Sequence, residues 1–178
     1  GTAGNLGDFE AAISDLDVVI GLDPGHAAAY RSRGTARYQL GEVRGAISDL
    51  NIAIQLNPEA SDAYNDRGVF LLEQGNTEGA RADFDRSIVL DPENVLALSN
   101  RAAVNLAAGN ATAAIDDLTT VIRLSSGDPE AFSKRARAYT LAGQLELARQ
   151  DLCTLASLGL DTTQLEEALG LEPAASGG

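Results

Sequence analysis

Residues 44–58 read RGAISDLNIAIQLNP. With Val43 in front, Ala46, Ile47, Leu50, Ala53 and Ile54 fall at three-to-four spacing and make one apolar stripe along an α-helix. Asn57 and Pro58 close that helix, because proline cannot continue one. The fragment then returns along the chain. Asp49 and Leu50 have counterparts at Asp15 and Leu16, Asp83 and Phe84, Asp117 and Leu118, and Asp151 and Leu152, each pair 34 residues from the next. A fixed interval of this size marks an array of like units that bury their apolar faces on one another.

Other series share the register. Glycine recurs at Gly7, Gly41, Gly75, Gly109 and Gly143, and alanine at Ala12, Ala46, Ala80, Ala114 and Ala148. Leucine recurs at Leu22, Leu56, Leu90, Leu124 and Leu158, and arginine at Arg33, Arg67, Arg101 and Arg135. Proline recurs at Pro24, Pro58 and Pro92, fails at Ser126 and arrives late as Pro129.

Each unit splits into two helical patterns. In the second unit Ala29, Tyr30, Arg33, Gly34 and Tyr38 build one helix face, which Gly41 ends because glycine accepts the left-handed cap conformation. First helices are expected near 27–40, 61–74, 95–108 and 129–142, and second helices near 9–22, 43–56, 77–90, 111–124 and 145–158. No strand pattern appears. Ala46, Ala80, Ala114 and Ala148 are expected where two axes approach closely, opposite Gly34, Gly68, Ala102 and Ala136, since larger side chains there would overpack.

These residues resemble the tetratricopeptide repeat family, a 34-residue helix–turn–helix unit. The resemblance implies an all-α fold, an α-α superhelix of antiparallel helix pairs over residues 1–160. Its units would be an incomplete first repeat at 1–26, then 27–60, 61–94, 95–128 and 129–160. Residues 161–170, DTTQLEEALG, read as a capping helix whose Leu165, Ala168 and Leu169 cover the last repeat, with Asp161 or Thr162 as N-cap and Gly170 as C-cap. Residues 171–178 read as a disordered tail. The large aromatic early in the first helix is Tyr30, Tyr64 and Phe132, but Leu98 in the fourth unit.

Thirteen basic residues against 26 acidic ones give a net charge of −13. That balance excludes nucleic acid and an anionic membrane surface as main partners, because both need a basic footprint. No apolar run reaches the ~20 residues of a membrane helix. One His and one Cys, His26 and Cys153, cannot form a metal cage, and no carboxylate cluster stands in for one. No catalytic residue, cofactor or metal site is therefore expected: there is no nucleophile–base pair, no glycine-rich phosphate loop and no acid pair outside the repeat register. His26 reads as a solvated turn residue and Cys153 as an exposed thiol on an outer helix face. The compartment stays open, the cytoplasm or, had a signal peptide been removed, the periplasm.

Arg33, Arg67, Arg101 and Arg135 each precede an aspartate, Asp49, Asp83, Asp117 and Asp151, by 16 residues. Each pair is expected to bridge the two helices of one unit. The four complete first helices hold eight cations and four anions, so the acidity belongs to the second helices and turns. The resemblance implies that the first helices line a concave groove. Its surface would carry Arg31, Thr35, Tyr38, Asn65, Asp66 and Val69 in the earlier units. In the later units it would carry Asn100, Ala103, Ala107, Lys134, Arg137 and Leu141. Asn65 and Asn100 would hydrogen-bond an extended peptide, and Lys134 with Arg137 would hold a carboxylate.

One family subset holds acidic chaperone C-termini in a two-carboxylate clamp. Its set falls here on Asn65, Val69, Asn100, Glu130 and Lys134, of which Asn100 and Lys134 alone are chemically suitable, so that ligand is rejected. The expected function is a scaffold that takes a peptide or helix of a partner protein in the groove. The alternative is a homo-oligomer assembled through the incomplete first repeat, whose Ile13, Leu16, Val19 and Ile20 form a stripe without a partner helix.

Overall fold

Helices α2, α5, α6 and α8 begin where a side chain accepts an otherwise orphaned backbone N–H, and the first-type helices α2, α4, α6 and α8 stop where glycine lets the chain turn left. His26 Nδ1 accepts from the Ala29 amide at 3.2 Å, Asn76 Oδ1 from Gly79 at 3.0 Å, Asn94 Oδ1 from Ala97 at 3.0 Å and Asp128 Oδ1 from Glu130 at 3.0 Å. Gly41, Gly75 and Gly109 sit at φ +78° and Gly143 at +73°. The amide after each of these glycines donates back five residues, Glu42 to Arg37 at 2.9 Å and Gln144 to Tyr139 at 2.8 Å among them. This wrapped end satisfies the last carbonyls of the first-type helices.

A computed structural model describes residues 2–170, with side chains from residue 7 onward. Ten α-helices follow one another: α1 (Thr2–Leu22), α2 (Ala27–Gln39), α3 (Val43–Leu56), α4 (Ser61–Glu73), α5 (Thr77–Leu90), α6 (Val95–Ala107), α7 (Ala111–Leu124), α8 (Pro129–Leu141), α9 (Leu145–Ser157) and α10 (Thr163–Ala168). No strand occurs among the described residues. The expected tail at 171–178 lies outside them. The chain divides into two compact units, Gly1–Ala97 and Leu98–Gly178.

In the first unit α2 packs on α3 and α4 on α5, with α1 against α2 and α3 against α4. The close approaches are real contacts. A Cβ on Gly34 would lie 3.0 Å from the Ala46 carbonyl oxygen, and one on Gly68 would lie 2.6 Å from the Phe84 ring. Ala46, Leu50, Ala63 and Phe70 form the buried core around these crossings. A polar seam joins the third unit: the Ser61 and Ser87 hydroxyls lie 2.9 Å apart, and Asn94 Nδ2 donates to Ser61 Oγ at 2.9 Å.

In the second unit α8 packs on α7 and α9. Ala136, Ala148, Leu152 and Leu155 form its terminal core, onto which Phe132, Tyr139, Leu165 and Leu169 pack. Leu98, which takes the place of the aromatic, is buried. Thr162 stands at the N-cap position of α10 with its hydroxyl turned to Glu166, and Leu169, where Gly170 was expected, is the C-cap, with Gly170 next at φ +65°. Asp161 Oδ1 accepts from the Thr163 amide at 3.0 Å.

One expectation is corrected here. Gly7 shares the register of the turn glycines and was expected to precede a second helix at 9–22. Instead α1 runs unbroken from Thr2 to Leu22, with Gly7 inside it and not left-handed. The wrapped glycine end is held by a first-type helix folding back on its successor. Residues 2–6 make no such helix, and continuing α1 pairs their backbone groups within one helix.

The two glycine settings give opposite mutational signs. In urea unfolding, Gly7→Ala is expected to stabilise by up to about 0.5–1 kcal/mol, because helical alanine replaces helical glycine in open space. Gly109→Ala is expected to destabilise by about 1 kcal/mol, because φ stays positive. A loss at both positions would place a left-handed turn at Gly7.

Candidate functional site

Four bidentate ion pairs fix the helix pairs whose surface forms the candidate site. Arg33 Nε and Nη2 lie 2.9 and 2.6 Å from the Asp49 carboxylate oxygens. Arg67 reaches Asp83 at 2.7 and 2.6 Å, Arg101 reaches Asp117 at 2.9 and 2.6 Å, and Arg135 reaches Asp151 at 2.9 and 2.7 Å. The aspartate side chains are only 2–9% exposed. Their carboxylates raise the pKa of Arg33, Arg67 and Arg135, with hydrogen bonding as the leading cause.

Arg33 also donates to Asp17, Arg67 to Asn51 and Arg135 to Thr119, each acceptor 16 positions earlier. Each of those forks therefore ties its own hairpin to the preceding second-type helix. The aromatic three residues before the arginine supports the fork: Arg33 lies 5.4 Å above Tyr30, Arg67 5.7 Å above Tyr64 and Arg135 5.6 Å above Phe132.

The candidate groove residues of the first unit satisfy one another. Arg31 Nε donates to Asp66 at 2.7 Å and Arg31 Nη1 to Asp62 at 3.0 Å. Tyr38 stacks on Phe70, ring centroids 4.0 Å apart and 11° from parallel. Burial, then a hydrogen bond to Glu73, raises its pKa. Thr35 donates to the Arg31 carbonyl at 3.1 Å, and Val69 packs beside the core. Asn65, expected to meet a peptide backbone, is 5% exposed, which corrects its place on the groove surface. It sits inside α4 beside Asp66, on which Arg31 closes. Arg37 on the same helix places Nη1 2.7 Å from buried Asp49.

In the second unit the groove is open. A cavity of about 500 Å³ is lined by Ala103, Leu106 and Ala107 of α6, Lys134, Arg137, Thr140 and Leu141 of α8, and Ala168 and Leu169 beside α10. Short side chains on α6 leave the space, and the aliphatic ones floor it. Leu141 is 55% exposed. Among the described residues no carboxylate lines the cavity. Glu130, one turn before Lys134, holds its ammonium at 2.6 Å, and that contact lowers the Glu130 pKa. Arg137 is exposed and has no ion-pair partner among the described residues. Asn100 is half-buried on α6.

Sequence reasoning brought Ala103, Ala107, Lys134, Arg137 and Leu141 to one surface and assigned Leu169 to the cap, but missed that Leu169 walls the cavity with Leu106 and Thr140. The Glu130–Lys134 contact was readable as an i,i+4 pair. His26 is exposed and caps α2, where a merely solvated residue was expected. Cys153 is exposed. Among the described residues no helix is long and apolar enough to cross a membrane, and no group of three or more His, Cys, Asp or Glu could hold a metal ion.

Tetratricopeptide repeat sequence models match residues 3–65, residues 50–82, and residues 71–129 with 99–157. Solved structures share the fold. MamA is 21% identical over 92% of both chains, with a TM-score of 0.76. YrrB, described as a TPR protein with an unusual peptide-binding site, is 19% identical, covering 94% of this chain and 87% of that one at a TM-score of 0.76. PilF of Pseudomonas aeruginosa is 21% identical over 92% of this chain and 78% of its own, at 0.79. No curated protein matches significantly in sequence.

Removing one arm of a bridge should strand a buried carboxylate. Arg67→Met is expected to destabilise by about 2–3 kcal/mol in urea unfolding, the lower end for such pairs because Arg67 keeps some contact with water. Asp83→Leu added to Arg67→Met should recover most of that loss. Additive losses would remove the bridge as the cause.

Proposed function

The chain belongs to the tetratricopeptide repeat family, whose helix pairs generally mediate protein–protein interactions, and on that premise we propose that it is a non-enzymatic module that takes a segment of a partner protein into the cavity of α6, α8 and α10. One observation carries this reading. In a chain of net charge −13, the cavity joins an aliphatic floor to Lys134 and Arg137, and among the described residues no carboxylate lines it. Such a site suits a segment with an acidic group beside an aliphatic side chain. The Arg137 fork receives a carboxylate first, because Lys134 already holds Glu130. Leu106, Leu141 and Leu169 receive the apolar side chain, and Asn100 on α6 is suited to hydrogen-bond the segment's backbone. No cofactor, metal, nucleic acid or membrane enters this reading.

The first unit is a poorer site for the same ligand. Arg31 is already closed by Asp62 and Asp66, and Asn65 is buried. A second reading, self-association through α1, has exposed Val18 and Leu22 in its favour. Against it, α1 carries Asp8, Glu10, Asp15 and Asp17 and no cation, so two copies laid face to face repel. Light scattering over a dilution series separates the two: a monomer throughout ends the second reading.

The test of the cavity is a pool of labelled acidic, leucine-containing peptides titrated by fluorescence anisotropy. At least one should bind saturably, and Lys134→Glu or Arg137→Glu should weaken it about tenfold or more while helicity stays unchanged. Absence of saturable binding, or affinity unchanged from the parent in both variants, would overturn the site.

A further inference from the structure

The sequence carries a match to its own cavity. The site of α6, α8 and α10 suits an acidic group beside an aliphatic side chain. The residues that directly follow its Leu169 wall are Gly170, Leu171 and Glu172. Across residues 171–178, LEPAASGG, Leu171 is the one large aliphatic residue and Glu172 the one charged side chain. Pro173 disfavours helical backbone at Glu172 and favours an extended one, the form a groove ligand takes.

The tether is short and its start is fixed. Leu165 and Leu169 pack on the terminal core of Ala136, Ala148, Leu152 and Leu155, which anchors α10 at the cavity rim. Gly170 then takes φ +65°, a left-handed turn that ends the helix. A cavity of about 500 Å³ is roughly 10 Å across, and three residues of extended chain span about 10 Å, so position 172 reaches any wall from Leu169. The charges are complementary. Arg137 is exposed and has no ion-pair partner among the described residues, whereas Lys134 already holds Glu130. So short a link also supplies Glu172 to the cavity at an effective concentration of about millimolar or above, which populates a contact too weak to form between separate molecules.

We propose that Leu171 and Glu172 occupy this cavity when no partner does. Glu172 sets its carboxylate on the Arg137 fork, and Leu171 lies against Leu106 and Leu141. A partner segment binds by displacing them, so residues 171–172 are a built-in competitor that sets a threshold for the ligand. The competition rests on the cavity being a partner site, whereas the contact itself rests on the chemistry of the two residues and the wall they adjoin.

The contact is read without ligand in the full isotope-labelled chain, from the backbone amide signals and NMR relaxation of Leu171 and Glu172. Arg137→Glu should shift both signals and loosen their relaxation to that of Ser176 and Gly177. Glu172→Arg should loosen Leu171 in the same way, and Arg137→Glu combined with Glu172→Arg should restore the tighter relaxation. Arg123→Glu, the same charge change on α7 away from the cavity, should leave both signals in place. Signals indifferent to Arg137→Glu, equal shifts with Arg123→Glu, or failure of the charge swap would each overturn the proposal. The competition is read by fluorescence anisotropy with labelled acidic, leucine-containing peptides. Leu171→Ser combined with Glu172→Gln should tighten binding about threefold or more, the factor expected if the two residues fill the cavity about two-thirds of the time. Unchanged affinity of a peptide that binds the parent would also overturn it. Failure of the partner site looks different: no peptide binds either chain, while the amide signals still answer to Arg137→Glu, which upholds the contact.

Discussion

A carboxylate buried between two helices is stable only if a cation is fixed against it, and this chain repeats that constraint at each hairpin. Asp49, Asp83, Asp117 and Asp151 each take both arms of one arginine fork. An unpaired charge there would be strongly destabilising, so the fork holds the first helix at one rotation over the second. The small residues beside it set the distance: alanine on the second helix, glycine or alanine on the first. Bulk then returns one position along, where Leu50, Phe84, Leu118 and Leu152 fill the core. Charge fixes the angle, and absence of side chain fixes the separation.

This division of labour leaves the outward surface of the first helices open to vary. In the first unit that surface is spent on itself, through Arg31 with Asp62 and Asp66 and through the Tyr38–Phe70 stack. In the second unit the short Ala103 and Ala107 leave room, and Lys134 and Arg137 stand beside it. Function in such an array rests on a few surface side chains, and the repeated ones serve the scaffold.

The helix pairs were legible because their determinants are local and repeated. A 34-residue interval in six residue types places helices, turns and ion pairs to within a residue for α2 through α9. Gly7 misled, because its sequence neighbourhood matches the other turn glycines while its structural neighbourhood lacks a first-type helix. The groove surface was only half legible. Family geometry brings Ala103, Lys134 and Arg137 together, but whether a groove residue is free depends on its neighbour. Arg31 is closed by residues 31 and 35 positions away. Leu169 reaches the cavity because the capping helix turns back on the last repeat, which no periodicity encodes.

If each second-type helix is held by the first-type helix laid over its alanine–aspartate face, amide protection must follow that cover. Native-state hydrogen exchange measures it directly. Residues 44–55 of α3, covered by α2, should exchange far more slowly than residues 10–21 of α1, whose equivalent face is open, although the two helices share their apolar pattern. Equal protection in α1 and α3 would contradict the account, because helix propensity and the single contact with α2 would then suffice without a covering partner.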